Sequence, residues 1–484
     1  MNMDSKHSSF ALSNPHKIPL TNFEKFSFSM ALFGVAILAL AFLGVDLPNK
    51  ALFLTLSLSM MVAGTGLYAR SLYLKHPEGI KNNHVWFNTL SNKGVWGWTL
   101  GLILTSFYVI IYWFPQYLGF GTGIDGTNER LVSLFDPLSH FFKGKDASQW
   151  FVYGTLYTVI IIALGIKFLY KYRHNRYQKI RTYVVIVAQL GFAYLIPEIL
   201  AGLNYTDATN TSGEYLGWYD TDLKNTWPLD YDFFYDWHLD AMQAEAYQPL
   251  GMTYLVWGIL FFLVLTPIIT YFVGKRWYCS WVCGCGGLAE TAGDPFRHLS
   301  SKKLSAWKIE RWLIHGIMVF VFVMTAATLY GYFTGSGSFL GLDIYGYFQR
   351  PYGFLIGAAF SGVIGVGFYP LMGSRVWCRF GCPMAGYMGL FQRFKSRFRI
   401  TTNGGQCISC GNCSTYCEQG IDVRAYAQKG ENIVRASCVG CGICSAVCPR
   451  GVLKLENGPE KGRINPTDVL LGNDVDLMKL MNKN

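Results

Sequence analysis

Eight stretches of this chain are long and apolar enough to cross a hydrocarbon core: 27–45, 51–69, 96–114, 151–170, 182–200, 251–273, 312–330 and 352–371. A span takes about 20 helical residues, and lipid offers the backbone no hydrogen bonds, so each stretch is expected to be a helix. The composition agrees, with 51% hydrophobic and only 15% charged residues, where a soluble chain carries about 25% charged. The first stretch follows a polar leader too long for the n-region of a signal peptide, and it is read as a retained helix.

Charge then sets an expected orientation. With the N-terminus inside, the inward segments 1–25, 70–95, 171–181 and 274–311 hold 19 Lys/Arg, and the outward ones hold 6. That asymmetry fits the positive-inside rule with both termini cytoplasmic, in the inner membrane of a bacterium. The net charge of +11 is thereby topological, and nucleic acid is excluded as a partner. The outward segment 201–250 instead holds nine acidic residues, among them Asp230, Asp232, Asp236 and Asp240, interleaved with aromatics. A folded external loop is expected there. Residues 375–399, with Arg375, Arg379, Arg393, Arg397 and Arg399, suggest an interfacial helix on anionic membrane lipid.

The 13 cysteines all lie from Cys279 onward, on the expected reducing side, which argues against structural disulfides. Eight fall in two runs, CISCGNCSTYC (407–417) and CVGCGICSAVCP (438–449), both C-x2-C-x2-C-x3-C. Zinc sites do not use that spacing, whereas two-cluster ferredoxins do, the fourth Cys of each run crossing to the other cluster. Cys407, Cys410, Cys413 and Cys448 are therefore expected to hold one [4Fe–4S] cluster, and Cys438, Cys441, Cys444 and Cys417 a second. Glu418 stands where the second run has Pro449.

The remaining cysteines form a second repeat. RWYCSWVCGC at 276 is echoed by RVWCRFGCPM at 375, so Cys279 and Cys378, and Cys283 and Cys382, are each 99 residues apart. In a continuing helix the two thiols of a C-x3-C motif share a face. Four such thiols could bind a metal or cluster, cycle as redox thiols with nearby Arg lowering their pKa, or simply pack helices. Cys285 has no counterpart, since Met384 takes its place.

The architecture expected is mainly α. It is a polytopic membrane protein of about eight transmembrane helices with a C-terminal α+β, bacterial-type two-cluster ferredoxin domain. Its parts would be a tail 1–26, a first membrane region 27–250, a second membrane region 251–399 carrying both C-x3-C motifs, the ferredoxin domain 400–458 and a tail 459–484.

A two-cluster module behind membrane helices, preceded by two C-x3-C motifs, resembles the membrane polyferredoxins over roughly 251–456. These include the NapH-like proteins of periplasmic nitrate reduction, the NosR-like proteins of nitrous oxide respiration and the CcoG-like copper-handling factors. The family's thiol motif ends in proline. Pro383 follows Cys382, but Gly284 follows Cys283. The resemblance implies an electron-transfer component working between a quinone pool or redox protein and the clusters. Alternatively it implies a maturation factor that binds and reduces a metal ion such as copper at Cys279, Cys283, Cys378 and Cys382. Paired histidines for a haem relay are missing from the spans, so His315 and Glu198 are the candidate quinone contacts. Lys167, at an inner helix end, is expected to snorkel.

Overall fold

The computed structural model describes residues 19–75, 94–203, 226–245, 248–394, 396–403 and 406–458. The expected tails lie mostly outside these, as do most of the loop 70–95 and half of the acidic loop. Seven helices among the described residues have the length and composition of membrane spans. They are α1 (Asn22–Phe42), α2 (Lys50–Leu74), α3 (Val95–Trp113), α4 (Gln149–Lys171), α5 (Arg176–Gly202), α6 (Leu250–Phe272) and α7 (Leu304–Thr334). The chain is a multi-pass membrane protein.

Helix ends run past the apolar stretches because polar turns add to them. The α1 start is fixed by a capping box, with Thr21 accepting from the Glu24 backbone and Glu24 from Thr21. Antiparallel α1 and α2 touch through small residues, as membrane helices do. A Cβ on Gly34 would lie 2.5 Å from the Ser57 carbonyl oxygen, and one on Gly64 2.6 Å from the Ala31 nitrogen. Ser57 Oγ donates to the Gly34 carbonyl at 2.7 Å.

The eighth apolar stretch departs from a simple span. It winds in wide i→i+5 turns over Tyr352–Ile364, continues through Gly365–Gly367, and bends at Phe368 before Tyr369–Met372. Five glycines within 353–367 explain the irregularity, because Gly costs helix stability and admits close neighbours. Gly362 lies against Tyr112, and Gly367 against Thr105.

The described part of the acidic loop is folded, as expected. Trp227, Phe233, Leu239 and Met242 pack onto Tyr254 and Phe262, and Trp227 Nε1 donates to Thr325 Oγ1 at 2.9 Å. The arginine-rich segment 375–399 is not a single interfacial helix. It divides into Val376–Phe380, Pro383–Phe394 and a strand, and Arg375 and Arg379 are buried in ion pairs.

That strand, β1 (Phe398–Thr402), opens the ferredoxin domain and pairs antiparallel with β2 (Leu453–Asn457), Ile400 opposite Leu455. Between them Ile421, Val423, Ala427 and Ile433 pack with the cysteines in one core. Gly411 and Gly442, with φ of 77° and 70°, turn each cysteine run into a short helix. Only glycine takes that left-handed turn without strain.

Candidate functional site

Each C-x3-C motif is a break between helices rather than one continuous face. Cys279 lies in the wide turn Tyr278–Val282, and Cys283 then adopts extended backbone to cap Gly284–Thr291. Cys378 lies in Val376–Phe380, and Cys382 directly precedes Pro383–Phe394. The expectation of an i, i+4 face fails because a helix ends between the two thiols. The two breaks nevertheless match in detail. The Cys283 N–H donates to the Tyr278 carbonyl at 2.8 Å, and the Cys382 N–H to the Trp377 carbonyl at 3.0 Å.

The halves clasp each other reciprocally. Arg276 Nη1 donates to the Cys378 carbonyl at 3.2 Å, and Arg375 Nη1 to the Cys279 carbonyl at 2.9 Å. Such an exchange is the mark of a two-fold relation, here within one chain. Cys279, Cys283 and Cys382 share a single core with Met384 and Trp277. Cys378 adjoins it, its sulfur 3.8 Å from Arg375 Nη1. Cys285 packs at the edge of the same core, hydrogen-bonded to Cys283.

The arginines do not bring these thiols below the ordinary range. Burial pushes the Cys279 and Cys378 thiols up, and Arg276 and Arg375 offset it only in part. Desolvation outweighs the nearby positive charge. Among the described residues, no three His, Cys, Asp or Glu side chains converge closely enough to hold a single metal ion.

A buried ionic network lies beneath the thiols, and sequence reasoning missed it. Glu290 accepts from Arg181, from Arg297 at 2.7 Å and from Arg375 at 3.4 Å. Asp294 accepts from Lys167 at 2.8 Å and Lys171 at 2.9 Å, and Arg297 lies 3.1 Å away. Lys167 thus does not snorkel; its ammonium is fully buried against Asp294. Burial by itself would raise the Glu290 and Asp294 carboxyls, but the surrounding Arg and Lys groups hold both below the usual carboxylate range. The available signal was GGLAETAGDP, two acids four residues apart in an otherwise small, apolar run.

Glu418 completes the network from the ferredoxin side. Its carboxylate lies 2.6 Å from Arg297 Nη1 and 3.0 Å from Arg375 Nη2. The residue that replaces proline after Cys417 therefore reaches the arginine that also touches Cys279 and Cys378. The second cysteine run is held nearby, with Val439 and Cys441 in the core of the paired thiols.

The eight ferredoxin cysteines separate by neighbourhood. Cys407, Cys410, Cys413 and Cys448 line one narrow cavity with Pro449 and Arg450. Cys444 instead feels the thiols of Cys441, Cys438 and Cys417 most strongly, with Cys413 of the first group behind them. Burial pushes Cys413 up to about 12 and Cys417 up to about 11. Both thiols would shed their protons on binding metal. Four thiols around the first cavity fit a [4Fe–4S] cluster.

A second cavity, of about 820 Å³ and almost wholly apolar, lies between α5 and α6. Val187, Phe192, Tyr254 and Trp257 line it, and it reaches Trp277 and Val282, which flank Cys279 and Cys283. The two candidate quinone contacts do not line it. Glu198 is paired with Lys143 at 2.8 Å, and His315 Nδ1 lies 2.6 Å from the Arg311 carbonyl of its own helix.

Known proteins bear on the same residues. A 4Fe-4S binding domain model matches twice, over 255–305 and 354–401, once for each clasped half. A 4Fe-4S dicluster domain matches 406–453. YccM of Escherichia coli (strain K12), whose name places it in electron transport, is 27% identical over 33% of this chain and 46% of its own length. The methylamine utilization ferredoxin-type protein MauN of Paracoccus denitrificans is 30% identical over 35% of this chain and 58% of its own. The chain thus spans about half the length of the curated relatives it matches. No solved structure matches it. With its apolar helices, its duplicated 4Fe-4S binding domain and its dicluster domain, the chain is an iron–sulfur membrane protein carrying two [4Fe–4S] clusters, and it is similar to ferredoxin-type electron-transport proteins.

Proposed function

We propose that the protein relays electrons between a membrane-soluble quinone and its two clusters, with the paired C-x3-C site as the station between them. The observation that carries this reading is the shared neighbourhood of the paired thiols and the second cysteine run. Cys279, Cys283 and Cys382 belong to one buried core, Cys441 packs against it partly buried, and the Arg375–Glu418 pair borders it. Cys407, Cys410, Cys413 and Cys448 would hold the first cluster, and Cys438, Cys441, Cys444 and Cys417 the second. When bound, the clusters supply one-electron chemistry.

The protein's own residues supply binding and position. The apolar cavity between α5 and α6 has a volume usual for ligand sites and an apolar wall suited to a quinone ring. It opens toward lipid, where Tyr183 and Val187 are exposed, and it ends beside the first C-x3-C motif. The excess of Lys/Arg on one side of the spans supports a cytoplasmic ferredoxin domain with both termini inside, in the inner membrane of a bacterium.

Anaerobic redox titration followed by electron paramagnetic resonance tests the reading. Two cluster signals are expected, and a quinol analogue should reduce them. Cys→Ser changes at Cys279, Cys283, Cys378 and Cys382 should abolish that quinol-driven reduction and leave the dithionite-reduced signals in place. Loss of copper binding, with quinol reduction intact, would instead favour a metal-reducing maturation factor.

A further inference from the structure

The two cysteine runs of the ferredoxin domain face different surroundings. The second is sealed against the membrane region. Gln178 Nε2 donates to the Cys441 carbonyl at 2.7 Å, the Tyr177 hydroxyl to the Gly440 carbonyl at 3.1 Å, and Lys275 Nζ to the Ile433 carbonyl at 2.7 Å. Glu418 adds two buried ion pairs on the same side. The Cys438 and Cys444 side chains are buried.

The first run turns outward. Ile408 is 53% exposed, Ser409 is exposed beside it, and Cys407 and Cys410 are partly exposed. The cavity these residues line is bordered by Arg424 and Arg450, both exposed, and no carboxylate lines it. Asp422, the acid closest in sequence to Arg424, is turned onto Ser414, whose hydroxyl donates to it at 2.6 Å. A small apolar contact framed by cations is suited to a brief encounter. The charge steers the approach and the limited area allows release.

We propose that Ile408, Ser409, Arg424 and Arg450 form the docking surface for a small, acidic one-electron carrier protein. This rests on the relay reading above and gives the relay its soluble end. On docking, this chain loses one electron from its reduced clusters and an oxidised carrier gains that electron; no covalent bond changes and no proton need move. The asymmetry supports that site over the second run, whose loop is occupied by the membrane region.

The test uses the full-length protein in lipid nanodiscs, a plant-type [2Fe–2S] ferredoxin as acidic probe and cytochrome c as basic control. Surface plasmon resonance should show the ferredoxin bound at 0.1 M salt and at least about tenfold weaker at 1 M, where the Debye length falls from about 10 Å to about 3 Å. The double variant Arg424→Glu/Arg450→Glu should lose at least about tenfold in affinity, and Arg424→Lys/Arg450→Lys should keep it. Both variants should retain the wild-type cluster signals. Unaltered ferredoxin binding by the charge-reversed variant, or tighter binding of cytochrome c, would overturn the docking surface. Missing cluster signals in the wild-type protein would overturn the relay reading instead.

Discussion

Glu418 is a single departure from a repeat that joins two parts of the protein. A proline at this position would continue the symmetry with Pro449 and offer no charge. The carboxylate instead sits between Arg297 and Arg375 and carries the ferredoxin domain onto the paired thiols. Breaking a buried pair by removing one partner costs about 3–5 kcal/mol, because the other charge is left uncompensated. Glu418→Gln is therefore expected to lower the melting temperature of the purified protein. It should also raise the potential of the cluster proposed at Cys417, since a negative charge nearby opposes the added electron. Thermal melts and a redox titration of the same sample check both effects. The sequence marked Glu418 as an irregularity, but its partners lie more than 40 and 120 residues away, beyond any local pattern.

At the scale of elements, the legible and the hidden divide by cause. Apolar runs announce helices, so α1 to α7 fall close to their expected places. Spacing announces the kind of domain, so the two cysteine runs fall within a matching 4Fe-4S dicluster domain at 406–453. Helix breaks inside the C-x3-C motifs were not legible, since the change from helix to cap at Cys283 and Cys382 depends on contacts between the halves. Lys167 misled for a related reason: a lysine at a helix end gives no sign of whether an acid waits for it inside. The α1–α2 hairpin offers a test of packing alone. Gly34→Leu would drive a side chain into the Ser57 carbonyl, and overpacking of this kind costs about 1–3 kcal/mol. Thermal unfolding in detergent should shift down, and both cluster signals should persist at low temperature.

For the whole molecule, the buried network joins membrane helices, thiol site and ferredoxin domain into one electrostatic unit. Arg181 and Lys167 come from α5 and α4, Glu290 and Asp294 from the segment behind the first motif, and Glu418 from the ferredoxin domain. This gives the assembly a pH dependence with a definite sign. Glu290 and Asp294 have folded-state values below their ordinary 4.5 and 3.8. The stability they contribute is present above those values and is lost as pH falls beneath them. Melting temperature should stay level from neutrality down to about pH 5 and drop below about pH 4. Glu290→Gln, already destabilised, should show a shallower acid drop. Tryptophan fluorescence melts across pH distinguish the two curves.

The reciprocal clasp between Arg276 and Arg375 also has a consequence for biogenesis. Each half of the thiol site is incomplete alone, and the halves lie 99 residues apart in the chain. At synthesis rates of about 5–20 residues per second, the first motif waits about 5–20 s for its partner. During that interval Cys279 and Cys283 lack the facing pair, and Arg276 lacks the Cys378 carbonyl to which it donates. Completion of the thiol site is thus timed by translation of its second half.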